Sequence, residues 1–177
     1  EWRGLGAMLS FTGYWNRLDN AIANVTLGQG PGNFPGDAYV AAGGRYAQRQ
    51  NLDAIIAQGV EAQASAIVGQ VDLRATYAFT DAEVRASGAA LALNGRHPAQ
   101  VARHAASFSA AARLDPFKLD LRVRYTGAQN EDDLGTQRLR AATTVDASVS
   151  YAIGEDIAVN LRADNLFDAL VPAAVGA

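Results

Sequence analysis

Seven stretches of this 177-residue chain repeat with a period of two, and nothing else in the sequence restricts the fold as strongly. A two-residue period sends successive side chains to opposite faces of an extended strand, whereas a helix repeats every ~3.6 residues. The first stretch sets Leu5, Ala7, Leu9, Phe11 and Trp15 against Ser10, Thr12, Tyr14 and Asn16. The second sets Val60, Ala62, Ala64 and Ala66 against Glu61, Gln63 and Ser65, and the third Val71, Leu73, Ala75, Tyr77 and Phe79 against Gln70, Asp72, Arg74, Thr76 and Thr80. The fifth has the best contrast, with Phe117, Leu119, Leu121, Val123 and Tyr125 opposite Lys118, Asp120, Arg122, Arg124 and Thr126. The sixth opposes Val145, Ala147, Val149, Tyr151 and Ile153 to Asp146, Ser148 and Ser150. The seventh opposes Ile157, Val159, Leu161 and Ala163 to Asn160, Arg162 and Asp164. The fourth, Ala106, Phe108, Ala110 and Ala112 against Ser107, Ser109 and Arg113, fits a strand and equally a helix.

Alanine argues the other way. Its 37 positions favour helix by propensity, and two segments also carry helical spacing: Pro98 to Arg113, and Asp53 to Ile67 with Asp53 placed to cap it. Periodicity outweighs propensity over most of the chain, so the expected class is all-β, an antiparallel up-and-down meander of about seven long strands.

The links between strands alternate in length. Long ones run from Ala23 to Arg49, Asp81 to Arg96 and Gly127 to Ala141, while Val68-Gly69-Gln70, Leu114-Asp115-Pro116 and Gly154-Glu155-Asp156 are tight turns. Short turns on one rim and long loops on the other are the habit of transmembrane barrels. Stretches of about nine to eleven residues also suit a tilted crossing of a bilayer better than a sandwich strand. Aromatic residues gather near strand ends, at Trp2, Tyr14, Trp15, Tyr77, Phe79, Phe117, Tyr125, Tyr151 and Phe167, as in interfacial girdles. The polar face then lines a lumen, and its mixture of Asp72, Arg74, Asp120, Arg122, Arg124, Asp146, Arg162 and Asp164 allows pairing across strands.

Composition closes several alternatives. Fifteen basic and eighteen acidic residues give a net charge of −3 with no basic cluster, so no nucleic-acid partner is expected. The absence of cysteine excludes a disulfide scaffold, a zinc finger and a thiol nucleophile. No uncharged apolar run approaches the ~18 residues of a spanning helix. The opening Glu1-Trp2-Arg3 is neither a signal peptide nor a natural start, and reads as a cut into a longer chain.

Several phrases in these segments resemble those of one family, the TonB-dependent outer-membrane receptors. Gln50-Asn51-Leu52-Asp53 followed by Gln58-Gly59-Val60-Glu61 is similar to the "Q-N-x-D … G-V-E" strand, and Val71 to Thr80 to the next strand with its aromatic end. His97-Pro98 with Arg103-His104 resembles a loop re-entry, Arg124-Tyr125-Thr126-Gly127 an "R-Y-x-G" phrase, and Thr144-Val145-Asp146 an "x-V-D" strand. Asp164-Asn165-Leu166-Phe167-Asp168 resembles the "E/D-N-L-F-D" signature of the penultimate strand. The resemblance implies a portion of a 22-stranded barrel of the plugged type. Residues 1–177 would form one partial barrel domain from its C-terminal third, without the plug domain and the last strand. It further implies a bacterial outer membrane, lipid around the barrel, TonB as a partner through the missing plug, and a siderophore or cobalamin as ligand. A ferric siderophore is the ligand first expected. Asn51, Gly59, Glu61, Asp146, Asn165, Leu166, Phe167 and Asp168 are carried over as structural motif positions.

Site candidates beyond these are few. Arg49, Arg96 and His97, at the bases of expected loops, are placed to meet an anionic ligand at the rim. His97 and His104, seven apart, would point to opposite faces of a strand, so no metal centre is expected there. Glu131-Asp132-Asp133 reads as a solvated loop tip, and Gly28-Gln29-Gly30-Pro31-Gly32 as loop, since no lysine or helix follows it. Two rival classes remain for comparison. A soluble lipocalin-like binding barrel would close at eight strands with its apolar face inside. An enzyme would need convergent carboxylates or a His-Asp pair, which the spacing does not supply; no catalytic residue and no cofactor are expected.

Overall fold

A computed structural model describes residues 2–4, 6–36 and 38–174; Leu5 and the side chain of Trp2, two of the residues in the patterns above, lie outside what is described. The strands are β1 (Trp2–Gly4), β2 (Ala7–Asp19), β3 (Ile22–Gln29), β4 (Gly32–Phe34), β5 (Ala38–Val40), β6 (Arg45–Asn51) and β7 (Ala54–Val68). They continue with β8 (Val71–Arg85), β9 (His104–Leu114), β10 (Phe117–Thr126), β11 (Gln129–Asn130), β12 (Arg138–Leu139), β13 (Ala142–Ile153) and β14 (Ile157–Ala163). One short 3-10 helix spans Gly88–Leu93. The main sheet has eight strands in the order β1-β2-β7-β8-β9-β10-β13-β14. Every pairing is antiparallel, so seven long strands form a meander and β1 adds a three-residue edge.

Register converts the alternation into two faces. Because strands pair with the side-chain period intact, Leu9, Ala64, Ala75, Phe108, Val123 and Val145 fall in one row across six strands. The next residue along each strand builds a polar row, Ser10, Gln63, Thr76, Ser107, Arg124 and Thr144, on the opposite face. A slip of one residue would exchange the two sets, so the register is strongly specified. The apolar rows do not meet in a dry interior: Phe11 is 68% exposed, Val159 56% and Leu161 69%. A lipocalin-like closure, with apolar side chains inside, is therefore not supported.

Aromatic residues on the apolar face lie in two bands. Near the tight turns Phe117 and Tyr151 pair across strands with ring centroids 5.0 Å apart. Eight residues along β10, roughly 26 Å of strand, Tyr125 lies in the row that also holds Phe11 and Tyr77. At a tilt near 40° that separation is about 20 Å of height, close to the apolar band of a transmembrane barrel. Just above the second band the same face turns polar, with Arg103 3.4 Å from Asp81 and Arg17 2.7 Å from Asp19.

Both alanine-rich segments with helical spacing form strands, β7 and β9, as the two-residue period favours, and lateral pairing on both sides settles the fourth stretch, which in sequence fits either class. Three details depart from the sequence reading. β2, β7 and β8 extend beyond the alternating stretches, to Asp19, from Ala54 and to Arg85, since pairing continues where the hydropathy contrast ends. His97 lies in a loop and only His104 in a strand. Tyr14 keeps the polar-face position its spacing gives it and so does not join the girdle on the apolar face: it sits opposite Gly59, and its hydroxyl shares a 2.6 Å hydrogen bond with Thr80 on the next strand.

The ring of Tyr14 can cross β7 only because Gly59 has no side chain. A Cβ there would lie 2.0 Å from the Phe79 carbonyl oxygen and 2.6 Å from the Tyr14 hydroxyl. Gly13, by contrast, has open space where its Cβ would go. Gly59→Ala is expected to destabilise by about 1–3 kcal/mol through overpacking, whereas Gly13→Ala is expected to be neutral or slightly stabilising. Urea unfolding of the two variants in detergent micelles checks the pair.

Candidate functional site

An antiparallel meander sends alternate connections to opposite ends, so the three long ones share one rim. The connection between β2 and β7 turns at Asn20, whose φ of 55° is the left-handed conformation that Asn tolerates. The pairing then resumes as a ribbon of β3 and β6, with a bulge between Thr26 and Gly28, and β4 and β5 form its tip. The Gly28 to Gly32 segment is thus partly strand, ending β3 and opening β4.

The chain's dry core lies at this rim. Val25 and Leu52 from the first connection, Val84 and Ala86 from the top of β8, and Ala90 and Leu93 from the 3-10 helix pack in one buried cluster. Ile55 and Leu134 pack against it. Ile55 and Val84 are register partners and continue the polar face of the sheet upward. The three connections therefore fold toward the polar side, across the mouth of what would be the lumen.

Polar contacts lock the connections together. The Asp133 carboxylate accepts hydrogen bonds from the Thr26 backbone N–H at 2.6 Å and from its hydroxyl at 2.8 Å, tying the β10–β13 connection to the ribbon. The Gln100 N–H donates to the Asn130 carbonyl at 2.7 Å, tying it to the β8–β9 connection. Asp132 is buried, with its oxygens accepting from the Thr136 hydroxyl at 2.7 Å and the Gln137 N–H at 2.8 Å. The expectation of a solvated acidic tip is corrected here: two neighbouring carboxylates serve as staples because main-chain N–H groups reach them. Burial pushes the Asp132 carboxyl up, but the Thr136 hydroxyl and the Gln137 N–H, with further backbone donors, outweigh it and hold it below its ordinary value of 3.8.

The rim candidates occupy different settings. Arg49 is exposed on β6, opposite Asn24. Arg96 turns its Nε to the Ala92 carbonyl at 2.6 Å and another guanidinium nitrogen to the Leu134 carbonyl, so it bridges two connections. Both ring nitrogens of His97 lie against main-chain carbonyls, Nδ1 2.7 Å from Ala82 and Nε2 3.0 Å from Val101. Among the described residues, no group of three or more His, Cys, Asp or Glu converges as a metal site.

The motif positions have structural surroundings. Asp146 on β13 accepts from the Asn165 N–H at 3.0 Å and pairs with Arg124 at 2.8 Å. Asn165, with φ of 50°, exchanges side-chain hydrogen bonds with Ala169 of 3.0 and 2.9 Å, and Asp168 has φ of 48°. Leu166 donates its N–H to the Val145 carbonyl, while Phe167 projects into the open. The "x-V-D" and "D-N-L-F-D" phrases are thus two halves of one strand-end closure. Glu61 is exposed on the polar face and Asn51 pairs with Ile22 at the base of the ribbon.

Sequence reasoning missed a row on β6. The Gln50 side-chain Nε2 donates to the Gln48 side-chain Oε1 at 3.2 Å, the Gln48 Nε2 to the Tyr46 hydroxyl, and that hydroxyl to the Pro35 main-chain carbonyl at 3.0 Å. Tyr46 stacks on Phe34 with centroids 4.9 Å apart and planes 9° from parallel. The only signal in the sequence was Tyr-x-Gln-x-Gln at a two-residue spacing, which is common in exposed strands.

Because the carboxylate pKa of Asp132 is depressed, its contribution is present above the unfolded value and is lost as pH falls through the lower folded one. The 127–141 connection should therefore stay docked at pH 7 and loosen on acidification below about 4. Asp132→Asn should remove this acid sensitivity while weakening the loop by about 1–3 kcal/mol at neutral pH. Hydrogen-exchange protection at the Gln137 amide measures both effects.

Comparison with known proteins places this geometry. The family profile described as TonB dependent receptor-like, beta-barrel matches residues 1–166. The chain is 26% identical over 159 residues to the vitamin B12 transporter BtuB of Photobacterium profundum, covering 90% of this chain and 23% of that protein. It is 33% identical over 126 residues to the ferrichrome outer membrane transporter/phage receptor of Escherichia coli, covering 64% of this chain and 16% of that one. In fold it is similar to the ferric yersiniabactin uptake receptor FyuA of Yersinia pestis, with a TM-score of 0.70 at 17% identity over 94% of this chain and 23% of the receptor. The chain spans less than a quarter of the length of each. On the profile match over nearly its whole length, it belongs to the TonB-dependent receptors, within their β-barrel.

Proposed function

We propose that this chain is part of the wall and rim of an outer-membrane receptor whose intact form takes up a scarce solute. A ferric siderophore is the first candidate and cobalamin the second, in line with what the named relatives carry. One observation supports the reading above the others: three connections interlock over the polar face, above an apolar face that ends in two aromatic bands. The apolar rows meet lipid, the Asp/Arg rows meet the lumen, and residues 1–177 are a partial barrel domain from the C-terminal third. A plug domain elsewhere in the parent fills that lumen and couples it to TonB. Capture needs only shape and weak contacts from the loops, so no covalent chemistry is involved. Within the rim, Arg49 touches the ligand, while Arg96 and His97 order the loops that frame it.

Two measurements test this. Cells relying on the complete receptor should lose uptake of the iron chelate or corrinoid when Asp133→Ala and Thr26→Val free the loops, with receptor still present in the outer membrane. Unchanged uptake would remove the rim from the mechanism. Leu121, midway between the aromatic bands, reports the membrane placement. Leu121→Arg should cost about 2–4 kcal/mol in unfolding from lipid vesicles and Gln63→Arg on the polar face much less; equal effects would contradict a lipid-facing Leu121.

A further inference from the structure

We infer that the ligand recognised at this rim carries no formal charge and is read through amide-like hydrogen bonds by the Gln50, Gln48 and Tyr46 row. This rests on the receptor reading above and narrows its substrate class. The row stands on the ribbon face that enters the buried cluster, since Gln50 and Gln48 are register partners of Ala23 and Val25. That face continues toward the lumen mouth. The hydrogen bonds within the row all run one way, from Gln50 to Gln48 to Tyr46 to Pro35, which orients each amide in advance. Each amide has two N–H groups and a two-lone-pair oxygen, and the ladder uses only part of that capacity. Alternating neutral donors and acceptors remain for a ligand.

The row ends in a rigid aromatic platform. Phe34 stacks on Tyr46 and rests on Gly28, where a Cβ would lie 2.2 Å from the ring. Such a surface suits amide, hydroxamate or conjugated-ring faces.

Charge at the rim argues the same way. The three connections, residues 20–53, 86–103 and 127–141, hold six arginines against five carboxylates, a net of only +1, so no strong positive field awaits an anion. Arg96 is turned to carbonyls, Arg103 lies 3.4 Å from Asp81, and Arg45 lies 3.9 Å from the buried Asp132. An exposed site built on charge would also lose affinity in salt, while one built on neutral hydrogen bonds would not.

The experiment titrates the complete receptor in detergent with three probes: an uncharged ferric trihydroxamate, cyanocobalamin and a trianionic ferric tricatecholate. Each is measured by tryptophan quenching at low salt and after a tenfold rise in salt, which shortens the screening length about threefold. Binding of one of the first two probes is expected, with a dissociation constant that changes less than about twofold with salt. Gln48→Met and Gln50→Met should each weaken that binding by about three- to tenfold. Tightest binding of the tricatecholate with steep salt dependence overturns the inference but leaves the receptor reading intact, as do two glutamine variants that bind like the parent. If cells carrying the receptor take up no iron chelate or corrinoid at all, the receptor reading falls and this inference with it.

Discussion

Lateral hydrogen bonding between long antiparallel strands is the constraint on which the rest of this structure depends. Each interior strand of the sheet satisfies its main-chain N–H and C=O groups sideways, so neither face has to supply partners for the backbone. The two faces are then free to meet different surroundings. That freedom is what the alternation of Leu119, Leu121 and Val123 with Asp120, Arg122 and Arg124 expresses. It also explains why exposed rows of Phe, Val and Leu are compatible with an ordered sheet: in hydrocarbon, a closed sheet leaves no backbone group unsatisfied.

The same constraint organises the rim. Where the hydropathy contrast fades, near Trp15 and Thr80, pairing between β2, β7 and β8 continues for several residues and lifts a wall above the second aromatic band. On that wall the connections find an apolar surface, Ile55 and Val84, against which Val25, Leu52 and Leu93 are buried. Long loops lose much conformational entropy when ordered, about 1–2 kcal/mol per residue. A shared core and carboxylate staples such as Asp133 on Thr26 offset that loss, and a rim ordered in advance keeps less of it for the moment of ligand binding.

The candidate site shows why chemistry at a rim is hard to read along a chain. Arg49, Arg96 and His97 stand out in the sequence as cations and a titratable ring, yet Arg96 and His97 face main-chain carbonyls brought from Ala92, Leu134, Ala82 and Val101. Glu131-Asp132-Asp133 has the look of a solvated tip, and its partners Thr26 and Arg45 are about a hundred residues away along the chain. Gly59 carries the opposite lesson: the motif was visible, but its reason, the Tyr14 ring lying across β7, exists only when three strands are side by side.

By itself the sequence determined the strand class, the two faces and the placement of tight turns against long connections, because a two-residue period and turn residues are local properties. The family was legible as well, in phrases such as Asp164-Asn165-Leu166-Phe167-Asp168 that close strand ends. Only the tertiary structure decided that the ambiguous stretch from Ala106 to Ala112 is a strand, how far the wall rises, which side the loops fold toward, and which polar groups are already paired. Those outcomes depend on contacts between residues far apart in sequence, and neither composition nor spacing carries the distance between them.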